Sequence, residues 1–174
     1  IHPEYVAALV DKLATDDAIF TVDTGMSAVW AARYLKAGTN RYLTGSFNHG
    51  SMANAMPMAM GAGLSYPDRQ VIAFCGDGGI SMLLGDLMTI SQYQIPVKII
   101  IFNNGTLGMV KLEMRVEGYM DWQTDMVNPD FVKLAESMNI AAWEAKESKD
   151  VEAALMNGFN HKGPAIINIF TDPN

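Results

Sequence analysis

With 174 residues and 49% hydrophobic content, the chain is long enough to bury the core of one compact domain. A formal net charge of −7 without any Lys/Arg cluster excludes an electrostatic footprint for nucleic acid, so an anionic ligand would have to be met by a metal or by backbone amides. Cys75 is the only cysteine, which excludes an intrachain disulfide, and it is read as a small buried apolar residue in a reducing compartment. No apolar run reaches the roughly 18 residues that cross a bilayer, and the opening "IHPEYVAALVDKLATDD" lacks the basic start of a signal peptide, so a soluble cytoplasmic chain is expected.

In chain order, three- and four-residue apolar spacing predicts a helix over 3–14 ("PEYVAALVDKLA"), followed by a strand over 18–22 ("AIFTV") and a helix over 27–36 ("SAVWAARYLK"). A strand over 71–75 ("VIAFC") leads into a helix over 79–94 ("GISMLLGDLMTISQYQ"), and a strand over 97–102 ("VKIIIF") follows. The last third alternates a helix over 129–139, a strand over 140–145 ("IAAWEA"), a helix over 148–159 and a strand over 165–170 ("AIINIF"). Near-continuous Val/Ile runs without polar alternation mark strands covered on both faces. The expected fold class is therefore α/β, a three-layer sandwich with a mostly parallel sheet. The longest irregular stretch, "EGYMDWQTDMVNPD" over 117–130, carries two aromatics and reads as functional or partner-facing.

Two short polar insertions interrupt the apolar runs. "GDGG" follows the strand that ends at Cys75, and "NNG" follows the strand over 97–102. A right-handed strand-helix-strand unit delivers the carboxyl ends of both strands to one sheet edge, so Asp77 and Asn104 converge where open α/β sheets bind ligands. Gly76, Gly78 and Gly79 let the backbone approach a bulky anion, and the helix start after them favours negative charge. A carboxylate beside an anion calls for a cation between them. Asp77 and the side-chain oxygen of Asn104 are hard donors suited to Mg²⁺ or Ca²⁺, and magnesium typically binds through one or two carboxylates and phosphate oxygens, so the inferred ligand is a metal-bridged diphosphate. Each tripeptide alone is an ordinary turn signal; their joint placement is what carries the inference. The G-x-G-x-x-G of a dinucleotide fold and the G-x-x-x-x-G-K-[ST] of a phosphate-loop NTPase are both absent.

At these residues the sequence resembles the thiamine-diphosphate enzymes, whose magnesium-diphosphate motif is GDG, a helix and strand, then NN. "GSFNHGSMANAMPMAMGA", "DRQVIAFCGDGG" and "PVKIIIFNN" look like the bacterial pyruvate oxidases, especially the flavin-containing, quinone-reducing pyruvate dehydrogenases. The resemblance covers nearly all of residues 1–174 and corresponds to the C-terminal, diphosphate-binding domain of a larger enzyme. It implies a thiamine-diphosphate-binding fold, with thiamine diphosphate and Mg²⁺ as cofactors and FAD held mainly by a domain outside this chain. It also implies pyrimidine-binding and flavin domains as partners, a homo-oligomer, and pyruvate as substrate. The full-length protein would be cytoplasmic or peripheral to a membrane that supplies the quinone pool.

Position by position, the resemblance assigns Asp77, the Asn104 side chain and the Thr106 carbonyl to the metal. Gly76, Gly78, Gly79 and the backbone near Ile80 would receive the diphosphate, with Asn104, Thr106, Leu107 and Gly108 completing the cofactor contacts. Gly50 and Ser51 would lie at the aminopyrimidine, with the Gly50 carbonyl accepting its hydrogen bond. Met52 takes the place of the bulky apolar residue that bends the cofactor into a V, a gain in proximity and orientation. Glu113 matches an acidic position near the reaction centre, where a carboxyl assists proton transfer; a solvated helix face is its other reading. His49 reads either as a neighbour of the pyrimidine edge or as a structural hydrogen-bonding residue. Met109 stands where relatives carry an aromatic residue, which leaves the electron acceptor open. The expected activity is oxidative decarboxylation of pyruvate to acetate or acetyl phosphate; the alternatives are acetolactate-forming C–C ligation and a non-catalytic cofactor-binding or assembly module.

Overall fold

A computed structural model describes residues 1–173. Six strands form one sheet, all parallel, in the order β2-β1-β3-β4-β6-β5: β1 (Ile19–Val22), β2 (Tyr42–Gly45), β3 (Val71–Gly76), β4 (Val97–Asn103), β5 (Ala141–Ala145) and β6 (Ala165–Phe170). The four strands at the centre are apolar along their length because alternate side chains enter two separate cores. On one face Phe20, Ile72, Phe74, Ile100 and Ile167 pack against α1 (Pro3–Leu13), α2 (Met26–Tyr34) and α8 (Val151–Asn160). On the other, Val71, Ala73, Ile99, Ile101 and Ile166 pack against α3 (Ala55–Ser65), α5 (Leu87–Tyr93) and α7 (Phe131–Ser137). The three-layer sandwich read from the sequence is the one formed.

Three elements lie outside the expected series. β2 has only four residues, too few for a periodic signal, and takes its place by pairing with β1. α3 ("AMPMAMGAGLS") is apolar nearly all round, so no stripe betrays it. It tolerates Pro57 because the N–H groups of a first helical turn have no intrahelical acceptor. Gly63 lets it press onto the sheet: a Cβ there would come within 2.8 Å of Ile95. α6 (Gly108–Val116) was anticipated only as a short helix around Glu113. The helix expected over 79–94 is broken into α4 (Asp77–Ser81), a 3₁₀ turn at Leu84–Asp86 and α5. Gly85, a poor helix former, lies in that turn.

The chain leaves β1 toward β2 on one side and then crosses to β3 on the other. The carboxyl ends of β1 and β3 therefore flank a topological switch point, the crevice where open α/β sheets take ligands.

Candidate functional site

Asp77 follows β3 directly, and its carboxylate gathers loops from three parts of the chain. The Gly78 N–H donates to Oδ1 at 2.9 Å. The N–H groups of Asn104 (3.1 Å) and Gly105 (2.7 Å) and the side-chain amide of Asn128 (2.7 Å) all donate to Oδ2. Asn104 Oδ1 accepts from the Thr106 N–H at 3.0 Å, so its oxygen is turned inward over the same loop. The convergence of Asp77 and Asn104 expected from strand order is thus realised, with Gly105 in the left-handed region (φ 68°) making the turn.

Thr106 forms an isolated antiparallel bridge with Asp125, and the bridging bonds run through its neighbours, Leu107 N–H to the Thr124 carbonyl and Met126 N–H to the Gly105 carbonyl. The Thr106 carbonyl takes no part in that pairing. Asp77, Asn104 and this carbonyl form a set of hard oxygens of the kind magnesium accepts.

A cleft of about 780 Å³, counting its open mouth, lies above these residues. Met52, Gly76, Asp77, Gly78 and Gly79 line it together with Asn104, Thr106 and Leu107 from the turn before α6 and Gly108 at its start. Gly78 and Gly79 have no room for side chains. A Cβ on Gly78 would come within 2.6 Å of Leu107, and one on Gly79 within 2.2 Å of Asp23 Oδ2. A cradle of that shape, with hard oxygens at its rim, fits a metal-bridged diphosphate. Met52 Cε lies 3.6 Å from the Cβ position of Gly78, which brings the "HGSMAN" loop to the cradle. Ala53 follows at φ 63°, a left-handed conformation that costs an alanine about 1 kcal/mol and redirects the chain into α3.

Other expected residues fall elsewhere. Gly50, Ser51 and His49 are exposed and do not line the cleft. Ile80 is buried in the core below, so only its backbone could face a ligand. Glu113 lies on the exposed part of α6, outside the cleft wall, because α6 buries none of its residues fully and turns this side chain to solvent.

Two residues were missed. Asp23, in "TVDTG" at the end of β1, is 2% exposed. One of its oxygens accepts from the Ala55 N–H at 2.8 Å at the start of α3, and Oδ2 is buried without a hydrogen-bond partner. Burial pushes its carboxyl up to about 6, against the opposing backbone N–H groups of Ala55, Gly76 and Asn54. Its signal was the one that exposed Asp77: an acid beside a glycine at the carboxyl end of an apolar strand. Asn128, in the irregular stretch over 117–130, had no such signal.

The C-terminal TPP-binding domain of the thiamine pyrophosphate enzymes matches residues 23–169. This chain belongs to that family. It is similar to YdaP of Bacillus subtilis (strain 168), named for containing thiamine pyrophosphate, at 34% identity over 169 residues, 97% of this chain and 29% of that protein. It is 35% identical over 171 residues to an acetolactate synthase large subunit of Pyropia yezoensis, covering 97% of this chain and 29% of that one. An acetolactate synthase of Mycobacterium bovis is 36% identical over 159 residues, 87% of this chain and 25% of its own length. The chain spans less than a third of these relatives. Their TPP-binding domain is what it shares, and in this chain the cradle of Gly78, Gly79, Asp77 and Asn104 fits the thiamine diphosphate that the family binds.

Proposed function

We propose that this domain holds the magnesium-diphosphate end of thiamine diphosphate in an enzyme that decarboxylates pyruvate. The observation that carries the reading is the four-donor grip on Asp77 beside Gly78 and Gly79, neither of which has room for a Cβ. Asp77, Asn104 and the Thr106 carbonyl would hold Mg²⁺, and the Gly78–Gly79 backbone would take the diphosphate. Bound thiamine diphosphate supplies a carbon nucleophile and an electron sink for cleavage next to a keto group. The residues of this chain would anchor it and, through Met52, offer an apolar support beside the diphosphate loop.

For the fate of the decarboxylated fragment, the motifs "GSFNHGSMANAMP" and "DRQVIAFCGDGG" support oxidation by a flavin domain to acetate or acetyl phosphate. The names of several relatives support a second reading, transfer to another keto acid to form acetolactate. Product analysis of the full-length protein with pyruvate, thiamine diphosphate and Mg²⁺ separates them: acetate or acetyl phosphate with flavin reduction, or a C–C ligation product without net flavin reduction. Failure of Mg²⁺ and thiamine diphosphate to bind at all would sink both.

The chain alone is expected to release no carbon dioxide from pyruvate at an enzymatic rate. Asp77 would be committed to the metal, Glu113 is exposed and Asp23 Oδ2 is buried beside Gly79, so the acid that serves the rings would come from outside this chain; a missing positioned acid or base costs about 10²–10⁴ in rate. Full activity from these 174 residues would overturn that account.

A further inference from the structure

A chain of side-chain amides crosses the carboxyl edge of the sheet from Asp77 to the outermost strand. Asn128 Nδ2 donates to Asp77 Oδ2 at 2.7 Å and to Asn103 Oδ1 at 2.9 Å. Asn103 Nδ2 donates to Asn168 Oδ1 at 3.1 Å, and Asn168 Nδ2 to Glu144 Oε2 at 3.3 Å. Asn103, Asn168 and Glu144 stand on β4, β6 and β5, which are neighbours in the sheet. Asn103 and Asn168 are 6% and 1% exposed.

The direction of every amide in this chain is forced. Both ends, Asp77 and Glu144, are carboxylates and only accept when ionised. Glu144 therefore requires the NH₂ of Asn168, which turns the Asn168 oxygen toward Asn103 and the Asn103 oxygen toward Asn128. A chain that runs between two acceptors needs one member that donates both ways, and the two protons of Asn128 Nδ2 meet that need. The cost is visible at the other atom of the same amide: Asn128 Oδ1 is buried without a partner. Flipping Asn128 would set its oxygen against two acceptors at once.

The consequence falls on Asp77. Oδ2 receives three donors, from Asn104, Gly105 and Asn128, whereas Oδ1 receives only the Gly78 N–H. Resting on the assignment of Asp77 to the metal, we propose that Asn128, Asn103, Asn168 and Glu144 are positioning residues that fix Oδ2 as the anchored oxygen and leave Oδ1 to face the cation. Hydrogen-bonded partners behind a ligating carboxylate set its orientation, and their loss typically costs about 10–100-fold in metal affinity.

The test uses two readouts on the 174-residue chain: NMR hydrogen exchange of the Asn104 and Gly105 amides without ligand, and calorimetric titration with Mg²⁺ in the presence of thiamine diphosphate. In Asn128→Ala, exchange at both amides should rise about tenfold, the scale of one lost hydrogen bond to a charged acceptor. The half-saturating Mg²⁺ concentration should rise about 10–100-fold. Glu144→Ala, at the sheet edge and far from the cleft, should move both readouts in the same direction by less. Lys146→Ala removes the other partner of Glu144, at 2.7 Å, and should move neither. Unchanged exchange at Asn104 and Gly105 in Asn128→Ala overturns the proposal, and so does a Lys146→Ala effect equal to that of Glu144→Ala. If the unsubstituted chain binds no Mg²⁺ with thiamine diphosphate, the cofactor reading fails, while the exchange data still decide whether the amide chain anchors Asp77.

Discussion

At the amino edge of the sheet the buried and half-buried cations are held by fixed backbone carbonyls. Lys98 Nζ donates to the His161 and Gly163 carbonyls at 2.5 and 2.7 Å, and Arg69 to those of Asp17 and Asn40. Arg41 reaches the carbonyls of Asp11, Ala14 and Thr15 together with the Asp11 carboxylate. At the carboxyl edge the charges are carboxylates, and they keep unspent oxygen: Asp23 Oδ2 has no partner, and Asp77 Oδ1 has one donor against three at Oδ2. The contrast separates structural charge from functional charge. A buried ion held by fixed groups of the fold fastens elements together, whereas one held firmly at one atom and left open at another is prepared for a ligand.

The strongest way to break this contrast is Asp77→Ala. It should lower Mg²⁺-dependent thiamine diphosphate binding by on the order of 100-fold or more, since it removes the carboxylate that would meet the metal beside Asn104. Stability should fall by about 1–3 kcal/mol, because the donors of Asn104, Gly105 and Asn128 lose their acceptor. Calorimetry and denaturant unfolding on the same sample separate the two effects; unchanged affinity would refute the metal assignment.

Asp23 sharpens it next. Burial raises its carboxyl from 3.8 to about 6, so the folded chain binds this proton more tightly than the unfolded chain. The contribution is present in full below about pH 4, is lost as pH rises through about 6, and is flat beyond; the gap corresponds to about 3 kcal/mol. Asp23→Asn should remove that slope from the difference between the two unfolding curves, and identical slopes would show that Asp23 titrates normally.

Lys98 provides the counterpart at the opposite edge. Burial pushes its ammonium down to about 8 from 10.5, so stability should rise with pH between those values as the unfolded chain retains the proton longer. Lys98→Met should flatten that rise, with an effect on stability of about 1 kcal/mol because lost desolvation is offset by two orphaned carbonyls. Cofactor binding should not change, and a change would erase the distinction between the edges.

The smallest effect is expected for Met52→Leu, a volume-conserving swap that should alter turnover of the full-length enzyme little, whereas Met52→Ala should lower turnover more than cofactor affinity. The reverse pattern would move Met52 from support of the reacting rings to simple anchoring.

The sequence by itself determined five of the six strands and the meeting of Asp77 with Asn104. Asp77 and Asn104 were legible because each interrupts an apolar run at its end, and strand order alone brings such ends together. The continuous apolar strands announced burial on both faces, and "GDGG" announced a backbone that must come close to its ligand. Only the tertiary structure decided the rest. β2 and α3 exist because their neighbours cover them; neither carries a periodic stripe of its own. Asp23 enters the site because β1 pairs with β3, and Asn128 because the loop after α6 folds back against Thr106. The direction of each amide between Asp77 and Glu144 is likewise decided by contacts between residues far apart in the chain. Periodicity and turn chemistry are local and can be read along a sequence; which oxygen of a carboxylate stays open depends on how many donors the folded chain brings to the other.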